Sequence, residues 1–228
     1  MNDLLCKLPI GIQTFEKLRK GDYLYVDKTE LVWKIAYTST PYFLSRPRRF
    51  GKSLLLSTFE AYFEGKKERT LRRACHWKVG NGIGKASCLH LDLNAEKYDS
   101  PERLYDILSR QLTLWEIQYG KGIDENTLSG RFSGVIRRAY EQTGSSVVVL
   151  VDEYDKPLLQ ALGNDVLLDE YRKTLKAFYG VLKSADRYLR FVFLTGVTKF
   201  SQVSVFSDLN QLQDITLWPD YGTLCGIT

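Results

Sequence analysis

The hydrophobic residues of this chain fall into short runs that predict buried strands. Residues 147–151 form a continuous run of valine and leucine, which is typical of a strand covered on both faces. Residues 88–93 alternate leucine with mostly polar residues, as a strand does. Residues 42–44 and 190–195 are two further apolar runs, and residues 215–217 are a candidate fifth strand. The pattern therefore predicts a sheet of up to five short strands.

Apolar positions at helical spacing occupy the segments between these strands. A helix rich in leucine and phenylalanine is predicted over residues 53–64, directly after a basic loop. A second helix is expected to begin after Ser100, with the following proline at its first position, and to run to about Tyr119. Further helices are expected over about 126–143 and 166–184. Because helices alternate with strands, we predict an α/β domain whose mainly parallel sheet is covered on both faces.

The composition excludes several classes of protein. The 228 residues are 44% hydrophobic and 26% charged, and the net charge of +5 permits an anionic ligand without requiring nucleic acid. The 4 cysteines form no CxxC pair, and together with the 2 histidines they match no common zinc spacing. The first residues show no basic region followed by an apolar run, and no apolar stretch approaches the roughly 20 residues of a membrane helix, so we expect neither export nor a membrane span. We therefore expect a cytoplasmic protein with reduced thiols and no membrane partner.

The strongest local motif is the basic loop at residues 46–53, which reads RPRRFGKS. Its end matches the phosphate-loop pattern GxxxxGK[ST], in which the lysine, here Lys52, reaches phosphates and the hydroxyl of Ser53 binds Mg²⁺. Arg46 stands where that pattern has its first glycine. An apolar run precedes the loop and a helix follows it, as the motif requires. The alternative is an ordinary basic loop in which Lys52 is solvated.

Two carboxylates follow the most apolar of the predicted strands. Residues 147–151 run directly into Asp152 and Glu153, and such carboxylates are costly at the end of a buried strand unless they have a partner or a function. In P-loop NTPases the first one holds Mg²⁺ and the second polarises the attacking water. Asp155 is an alternative metal ligand, although we favour a turn or helix start before Pro157 for it.

A third polar strand end follows residues 190–194. Thr195 at the tip of this run is a candidate for sensing the γ-phosphate or positioning water, and Thr198 and Lys199 are weaker candidates. A threonine at a strand end also commonly satisfies nearby backbone groups. The two interpretations of Thr195 are about equally supported by the sequence.

Taken together, these segments resemble the bacterial AAA-ATPase-like proteins, which are related to archaeal-type and STAND-like P-loop ATPases. The phosphate loop of this family reads RPRRFGKS as a rule, so Arg46 is no departure from it. The resemblance extends from about residue 9 to residue 228. The segments that carry it are residues 25–29, 43–53, 89–93, 151–157 and 193–201.

The resemblance implies a three-layer α/β/α P-loop NTPase fold of the ASCE and AAA-like type. The expected strand order is 5-1-4-3-2, with an extra strand between the phosphate-loop strand and the acidic strand. One domain would span residues 1–228, with residues 1–40 as a lead-in. A helical lid and the C-terminal nuclease-like domain of longer relatives, similar to the PD-(D/E)XK group, are expected to be absent from these residues.

The resemblance also implies roles for individual residues. Ser53 and Asp152 would hold Mg²⁺, Glu153 would be the catalytic base, and Thr195 would lie on the sensor strand. Asp27 and Lys28 lie upstream, where the nucleoside end of ATP would be held. The expected nucleotide contacts are Arg48, Arg49, Phe50, Gly51, Lys52, Ser53 and Leu54.

Several functions remain open at this point. The first is an ATPase that uses ATP and Mg²⁺ as the motor or switch of a larger bacterial protein. The alternative is a nucleotide-gated interaction module with little turnover, acting with a nuclease-like domain on nucleic acid. Arg48 and Arg49 are candidate arginine fingers in cis, or contacts to phosphate or to a second copy in a homo-oligomer.

The basic residues between 66 and 78 suggest direct nucleic-acid binding, although a solvated face is the commoner explanation. A small-molecule kinase fits Glu153 less simply, and preference for ATP over GTP is undetermined.

Overall fold

A computed structural model describes residues 7–65, 85–94, 96–198, 205–206, 209 and 211–226. Five strands form one sheet in which every neighbouring pair is parallel. Their spatial order is β2-β3-β4-β1-β5, which is the predicted order 5-1-4-3-2 read from the other edge. The predicted order is therefore confirmed, including the strand between the phosphate-loop strand and the acidic strand. The strands are β1 (Tyr42–Ser45), β2 (Cys88–Asp92), β3 (Val147–Asp152), β4 (Leu189–Gly196) and β5 (Gln213–Asp214).

Helices connect these strands and cover both faces of the sheet. The expected helix ends at Tyr119, Thr143 and Ser184 are all observed. The helices of the described residues are α1 (Phe15–Lys20), α2 (Thr29–Tyr37), α3 (Lys52–Glu64), α4 (Pro101–Tyr119), α5 (Leu128–Thr143), α6 (Lys156–Gln160) and α7 (Asp165–Ser184), with short 3₁₀ turns at Asp186–Tyr188 and Pro219–Tyr221.

The continuous apolar run of β3 is explained by burial on two sides. Val147, Val149 and Val151 belong to the core on the side of α4, α5 and α7. Val148 and Leu150 belong to the core on the side of α2 and α3. Since neighbouring side chains of a strand point to opposite faces, a strand between two helical layers has no solvent-facing position for polar residues. This arrangement is the predicted three-layer α/β/α fold.

The fifth strand lies earlier in the chain than residues 215–217. Gln213 and Asp214 pair with β1, and the Ile215 amide extends the pairing by donating to the Phe43 carbonyl at 3.0 Å. The chain then turns away, because the Thr216 amide donates to the Asp214 carboxylate at 2.8 Å. The apolar residue Leu217 consequently lies on the surface, 80% exposed. Apolar character alone thus misplaced this strand by two residues.

Candidate functional site

The phosphate loop leaves β1 at Ser45 and enters α3 at Lys52. Two of its residues have left-handed backbone conformations, Arg49 with φ of 67° and Gly51 with φ of 85°. The Leu55 amide donates to the Gly51 carbonyl at 2.9 Å, which closes the first turn of α3. Because side-chain-bearing residues rarely adopt such a φ, glycine at position 51 relieves strain where the loop becomes a helix.

Arg46 explains how the loop dispenses with its usual first glycine. Its amide donates to the Gly196 carbonyl at 3.1 Å, so position 46 still continues the pairing of β1 with β4. The left-handed bends lie further along the loop, which removes the conformational need for glycine here. The guanidinium donates to carbonyl oxygens of Thr216 at 2.7 Å and Tyr221 at 3.3 Å.

Lys52 is buried rather than solvated, with a residue exposure of only 4%. Its ammonium donates to the carbonyls of Arg46 at 2.9 Å and Pro47 at 3.1 Å. It also lies 3.0 Å from Oε1 of Glu153. The alternative interpretation of a solvated loop lysine is therefore wrong. A buried cation at the mouth of this loop is a suitable site for an anionic ligand.

Asp152 links three elements that are distant in the sequence. The Ser53 hydroxyl, in the first turn of α3, donates to Oδ2 of Asp152 at 2.5 Å. The Thr195 hydroxyl, on β4, donates to Oδ1 at 2.7 Å. Both Asp152 and Thr195 are buried. The structure thus brings the predicted metal ligands and the predicted sensor residue into direct contact, although their functional roles remain predictions.

Glu153 lies next to Asp152 but points in a different direction. Its φ of 54° is left-handed, so the chain bends directly after β3 and the side chain reaches Lys52 instead of Ser53. Burial raises the pKa of the Glu153 carboxyl, while the hydrogen bond and the positive charge of Lys52 act in the opposite direction. Such left-handed conformations at residues with large side chains are concentrated at functional sites.

Asp155 fixes the loop that follows β4. Its fully buried carboxylate accepts hydrogen bonds from the amides of Val197 at 3.0 Å and Thr198 at 2.7 Å, and from the Thr198 hydroxyl at 2.8 Å. Gly196 leaves room for this carboxylate, because a Cβ atom there would lie only 2.8 Å from Oδ1 of Asp155. Asp155 precedes α6 as we expected, but its side chain is not used to cap that helix.

The remaining predicted residues lie around this centre. The side chains of Arg48, Arg49 and Phe50 are exposed on the loop. Leu54 is half-buried and packs against the small apolar cluster of Phe15. The carboxylate of Asp27 accepts from the amide and hydroxyl of Thr29 at the start of α2, and the expected nucleoside contacts of Asp27 and Lys28 stay predictions. Lys199 and the basic stretch between residues 66 and 78 lie outside the described residues.

One polar pair near this site, His90 with Glu60, was not predicted from the sequence. His90 on β2 lies in register with Leu150, two residues before Asp152. Its Nδ1 is 3.2 Å from Oε2 of Glu60 on α3. Burial lowers the pKa of His90, but the hydrogen bond and charge of Glu60, with the charge of Asp152, outweigh burial and leave this pKa raised. A lone histidine within an alternating strand carries no signal of this pairing.

Within the described ranges, no three His, Cys, Asp or Glu residues are grouped closely enough to hold a metal ion. Mg²⁺ commonly needs only one or two protein ligands, because substrate phosphates and water complete its shell. A site with one hydroxyl and one carboxylate is therefore compatible with this ion. Among the same residues, no helix is both long and apolar enough to cross a bilayer.

Comparison with known proteins agrees with this geometry. Residues 9–206 match the family model described as predicted AAA-ATPase. The chain belongs to this family. A relative, the "Uncharacterized protein in vnfD 5'region" of the bacterium Azotobacter chroococcum mcd 1, is 42% identical over 225 residues. That match covers 97% of the present chain but only 43% of the relative, so the chain spans less than half of that protein's length. The expected family is confirmed, and with it an ATP-binding, ATPase-like domain.

Proposed function

We propose that this domain binds Mg-ATP at the carboxyl edge of β1, β3 and β4 and releases the γ-phosphate by hydrolysis. The observation that carries the proposal is the arrangement of two adjacent carboxylates. Asp152 contacts the Ser53 and Thr195 hydroxyls, and Glu153 contacts the Lys52 ammonium. One strand end thereby supplies a metal-type ligand and a base-type carboxylate at a single phosphate loop.

The loop residues fit a polyphosphate. Gly51 turns the backbone into the N-terminus of α3, a helix of 13 residues whose partial positive charge favours anions. Lys52 places a buried ammonium at the same end of the helix. Its hydrogen bonds to the carbonyls of Arg46 and Pro47 hold this cation over the loop. Charge and backbone direction together favour the triphosphate of a nucleotide.

The neighbouring oxygens fit Mg²⁺. The Ser53 hydroxyl and Oδ2 of Asp152 are 2.5 Å apart, so both already converge on one small region. They are hard oxygen ligands of the kind that Mg²⁺ prefers. Thr195 holds the other carboxylate oxygen of Asp152 and would thereby orient this ligand. When bound, Mg²⁺ supplies charge neutralisation at the phosphates.

Glu153 is the proposed base. In hydrolysis a water oxygen attacks the γ-phosphorus, the bond to the β–γ bridging oxygen breaks, and Glu153 accepts a proton from the water. Glu153 is paired with Lys52 in this structure. Phosphate oxygens would compete for the same ammonium, and loss of the pairing would leave the carboxylate available to water. Ligand binding would thereby prepare the base.

The decisive experiment is calorimetric titration of ATP and of GTP, each with Mg²⁺, into wild type and Lys52→Ala, followed by a phosphate-release assay. We expect wild type to bind and turn over at least one nucleotide. Lys52→Ala should lose binding at least tenfold, because a hydrogen bond to a charged group contributes about 1.5–3 kcal/mol and about 1.4 kcal/mol corresponds to a tenfold change. If folded wild type binds neither ATP nor GTP, the proposal is overturned.

A second candidate function is a nucleotide-gated switch with slow intrinsic turnover. It is favoured by the positions of the loop arginines. The Arg46 guanidinium is bound to backbone carbonyls, and Arg48 and Arg49 are exposed. A stimulating arginine would then come from a second copy or from another partner. Turnover per molecule that rises with protein concentration supports a homo-oligomer, whereas concentration-independent turnover at a normal enzymatic rate favours the self-sufficient ATPase.

The larger context is also a proposal. The relative is more than twice as long as the matched region, which supports a role as motor or switch within a longer protein. An action on nucleic acid through a nuclease-like domain is tested by adding DNA or RNA to the full-length protein. Stimulated turnover that weakens as salt rises is the expected result, because phosphate contacts release counterions.

A further inference from the structure

Residues 215–226, here called segment 215–226, run alongside the phosphate loop. Ile215, Leu224 and Cys225 anchor it in the core on the α2 and α3 face. At its far end it reaches the loop itself. A Cβ atom built on Gly51 would lie 4.0 Å from the Gly226 amide nitrogen, and one built on Gly226 would lie 3.8 Å from Cδ1 of Phe50. The segment therefore forms one wall of the candidate nucleotide site.

Polar contacts to this segment come from the two residues that begin the loop. The Arg46 guanidinium donates to the carbonyl oxygen of the preceding residue, Ser45. It also donates to the carbonyl oxygens of Thr216 and Tyr221 in the segment. The Ser45 amide donates to the Thr216 hydroxyl at 3.0 Å. A planar guanidinium suits such multiple contacts, since its donors are held in a fixed geometry. Arg46 also shares the loop with Lys52, whose ammonium binds the Arg46 carbonyl.

We propose that Arg46 is a positioning residue that docks segment 215–226 against the phosphate loop, and that docking and nucleotide binding strengthen each other. The proposal rests on the proposed function, because it concerns the same site. The Arg46 carbonyl holds the phosphate-binding lysine while its side chain holds the segment. Movement of the segment would therefore move the loop residue that supports Lys52.

Reciprocity makes this proposal quantitative. If docking raises nucleotide affinity by some factor, saturating nucleotide must raise the docking equilibrium by the same factor. Docking has its own reporter in Cys225, which is only 7% exposed. Burial raises the pKa of this thiol to about 11, so alkylation requires the segment to open. Site-resolved alkylation of Cys225, read by peptide mass spectrometry, thus measures docking without any activity assay.

The variants act on the contact from both sides. Arg46→Ala removes the guanidinium, Arg46→Lys keeps the charge but loses the planar donors, and Thr216→Val removes one hydroxyl without altering the loop. Thr216→Ser retains that hydroxyl and serves as the conservative rescue. Arg103→Ala is the matched control, because that side chain is 54% exposed and lies on α4, which is neither the phosphate loop nor segment 215–226.

We expect Thr216→Val to speed Cys225 alkylation about two- to tenfold in nucleotide-free protein, the effect of one neutral hydrogen bond. Arg46→Ala should speed it more than tenfold, because its bonds are charge-assisted. The apparent affinity for Mg-ATP should fall only in proportion to the docked fraction of the nucleotide-free protein, so Arg46→Ala should lose more affinity than Thr216→Val. Saturating Mg-ATP should slow alkylation in wild type by more than it does in Arg46→Ala. Arg46→Lys should resemble alanine, and Thr216→Ser and Arg103→Ala should resemble wild type.

Three results would overturn the proposal. Alkylation of wild type that is not slowed by saturating Mg-ATP would show docking without coupling. Weaker binding in Arg46→Ala alone, with Cys225 still protected, would show that Arg46 acts through its charge. Equal protection by Mg-ATP in wild type and Arg46→Ala would show direct shielding of Cys225. A wild type that binds no nucleotide would instead contradict the proposed function itself, and that failure is recognised without any variant.

Discussion

The Lys52 ammonium lies 3.0 Å from Oε1 of Glu153, so the expected phosphate ligand is paired with the expected catalytic base. Both side chains are largely buried, at 3% and 12% exposure. Removing one member of such a pair leaves the other charge poorly solvated, which is usually costly. Nucleotide phosphates would replace one anionic partner of Lys52 by another, and the pair therefore connects ligand binding to the state of Glu153.

Replacement of Glu153 by glutamine should separate binding from hydrolysis. We expect Glu153→Gln to bind Mg-ATP with nearly wild-type affinity, because Gly51, Lys52 and Ser53 are retained. Phosphate release should fall by at least about a hundredfold, the lower range for loss of a general base. Calorimetry and a phosphate-release assay measure the two effects. Glu170→Gln on the exposed surface of α7 is the control. Equal turnover by Glu153→Gln and wild type would exclude Glu153 as the base.

The raised pKa of Glu153 predicts a specific dependence of stability on pH. Burial makes the folded state bind the carboxyl proton more tightly than the unfolded state does, in spite of the opposing effect of Lys52. The resulting stability is fully present below the ordinary pKa of 4.5 and is lost as pH rises through the folded-state value. Urea unfolding of wild type and Glu153→Gln across this range should show wild type losing stability relative to the variant. A constant difference at all pH values would contradict the raised pKa.

Thr195 should act on the reaction through Asp152 rather than by touching nucleotide. Valine has nearly the same shape but cannot donate to Oδ1 of Asp152. We expect Thr195→Val to require more Mg²⁺ for half-maximal turnover and to lower kcat about tenfold, as expected for loss of one charge-assisted hydrogen bond. Nucleotide affinity in the absence of Mg²⁺ should change little. Thr195→Ser should restore the Mg²⁺ requirement. Loss of metal-free nucleotide affinity would instead indicate direct contact with the ligand.

Asp155 should contribute mainly to stability. Its buried carboxylate accepts from the Val197 and Thr198 amides, which would be left unsatisfied in Asp155→Ala. We expect the free energy of unfolding to fall by about 2–4 kcal/mol in urea denaturation, and by less in Asp155→Asn, which retains one acceptor oxygen. Asp165→Ala at the start of α7 is a surface comparison. A loss below about 0.5 kcal/mol would be typical of an ordinary surface substitution and would contradict this role.

The pairing of His90 with Glu60 predicts a shift that NMR can measure directly. Glu60→Gln removes the charge that opposes burial, so the pKa of His90 should fall. The stability that this pair contributes is present below the ordinary histidine pKa of 6.5 and is lost as pH rises through the raised folded-state value. The ring Cε1–H resonances report this titration, and His76→Gln assigns the only other histidine. An unchanged His90 titration in Glu60→Gln would show that Glu60 is not the cause.

Much of the fold could be predicted from local patterns. The unbroken run of valine and leucine in β3 predicted a strand between two helical layers, and Ser100 with Pro101 predicted the start of α4 at the residue where it begins. The strand order followed from the family resemblance rather than from any local pattern. The GKS tripeptide and the Asp152–Glu153 pair identified the residues that meet at one edge of the sheet. These features depend on burial and on short-range backbone hydrogen bonds, which periodicity reports directly.

Tertiary structure alone decided which side chains these residues contact. Nothing near Arg46 in the sequence indicates that it binds the Thr216 carbonyl, 170 positions away, or that Asp155 holds the loop after β4. The pairing of Lys52 with Glu153, instead of Asp152, depends on a left-handed φ at Glu153. Such contacts form only after strand order and register bring distant strand ends to one edge. The sequence by itself therefore determined the elements and the chemical groups of the site, and packing of the sheet determined their partners.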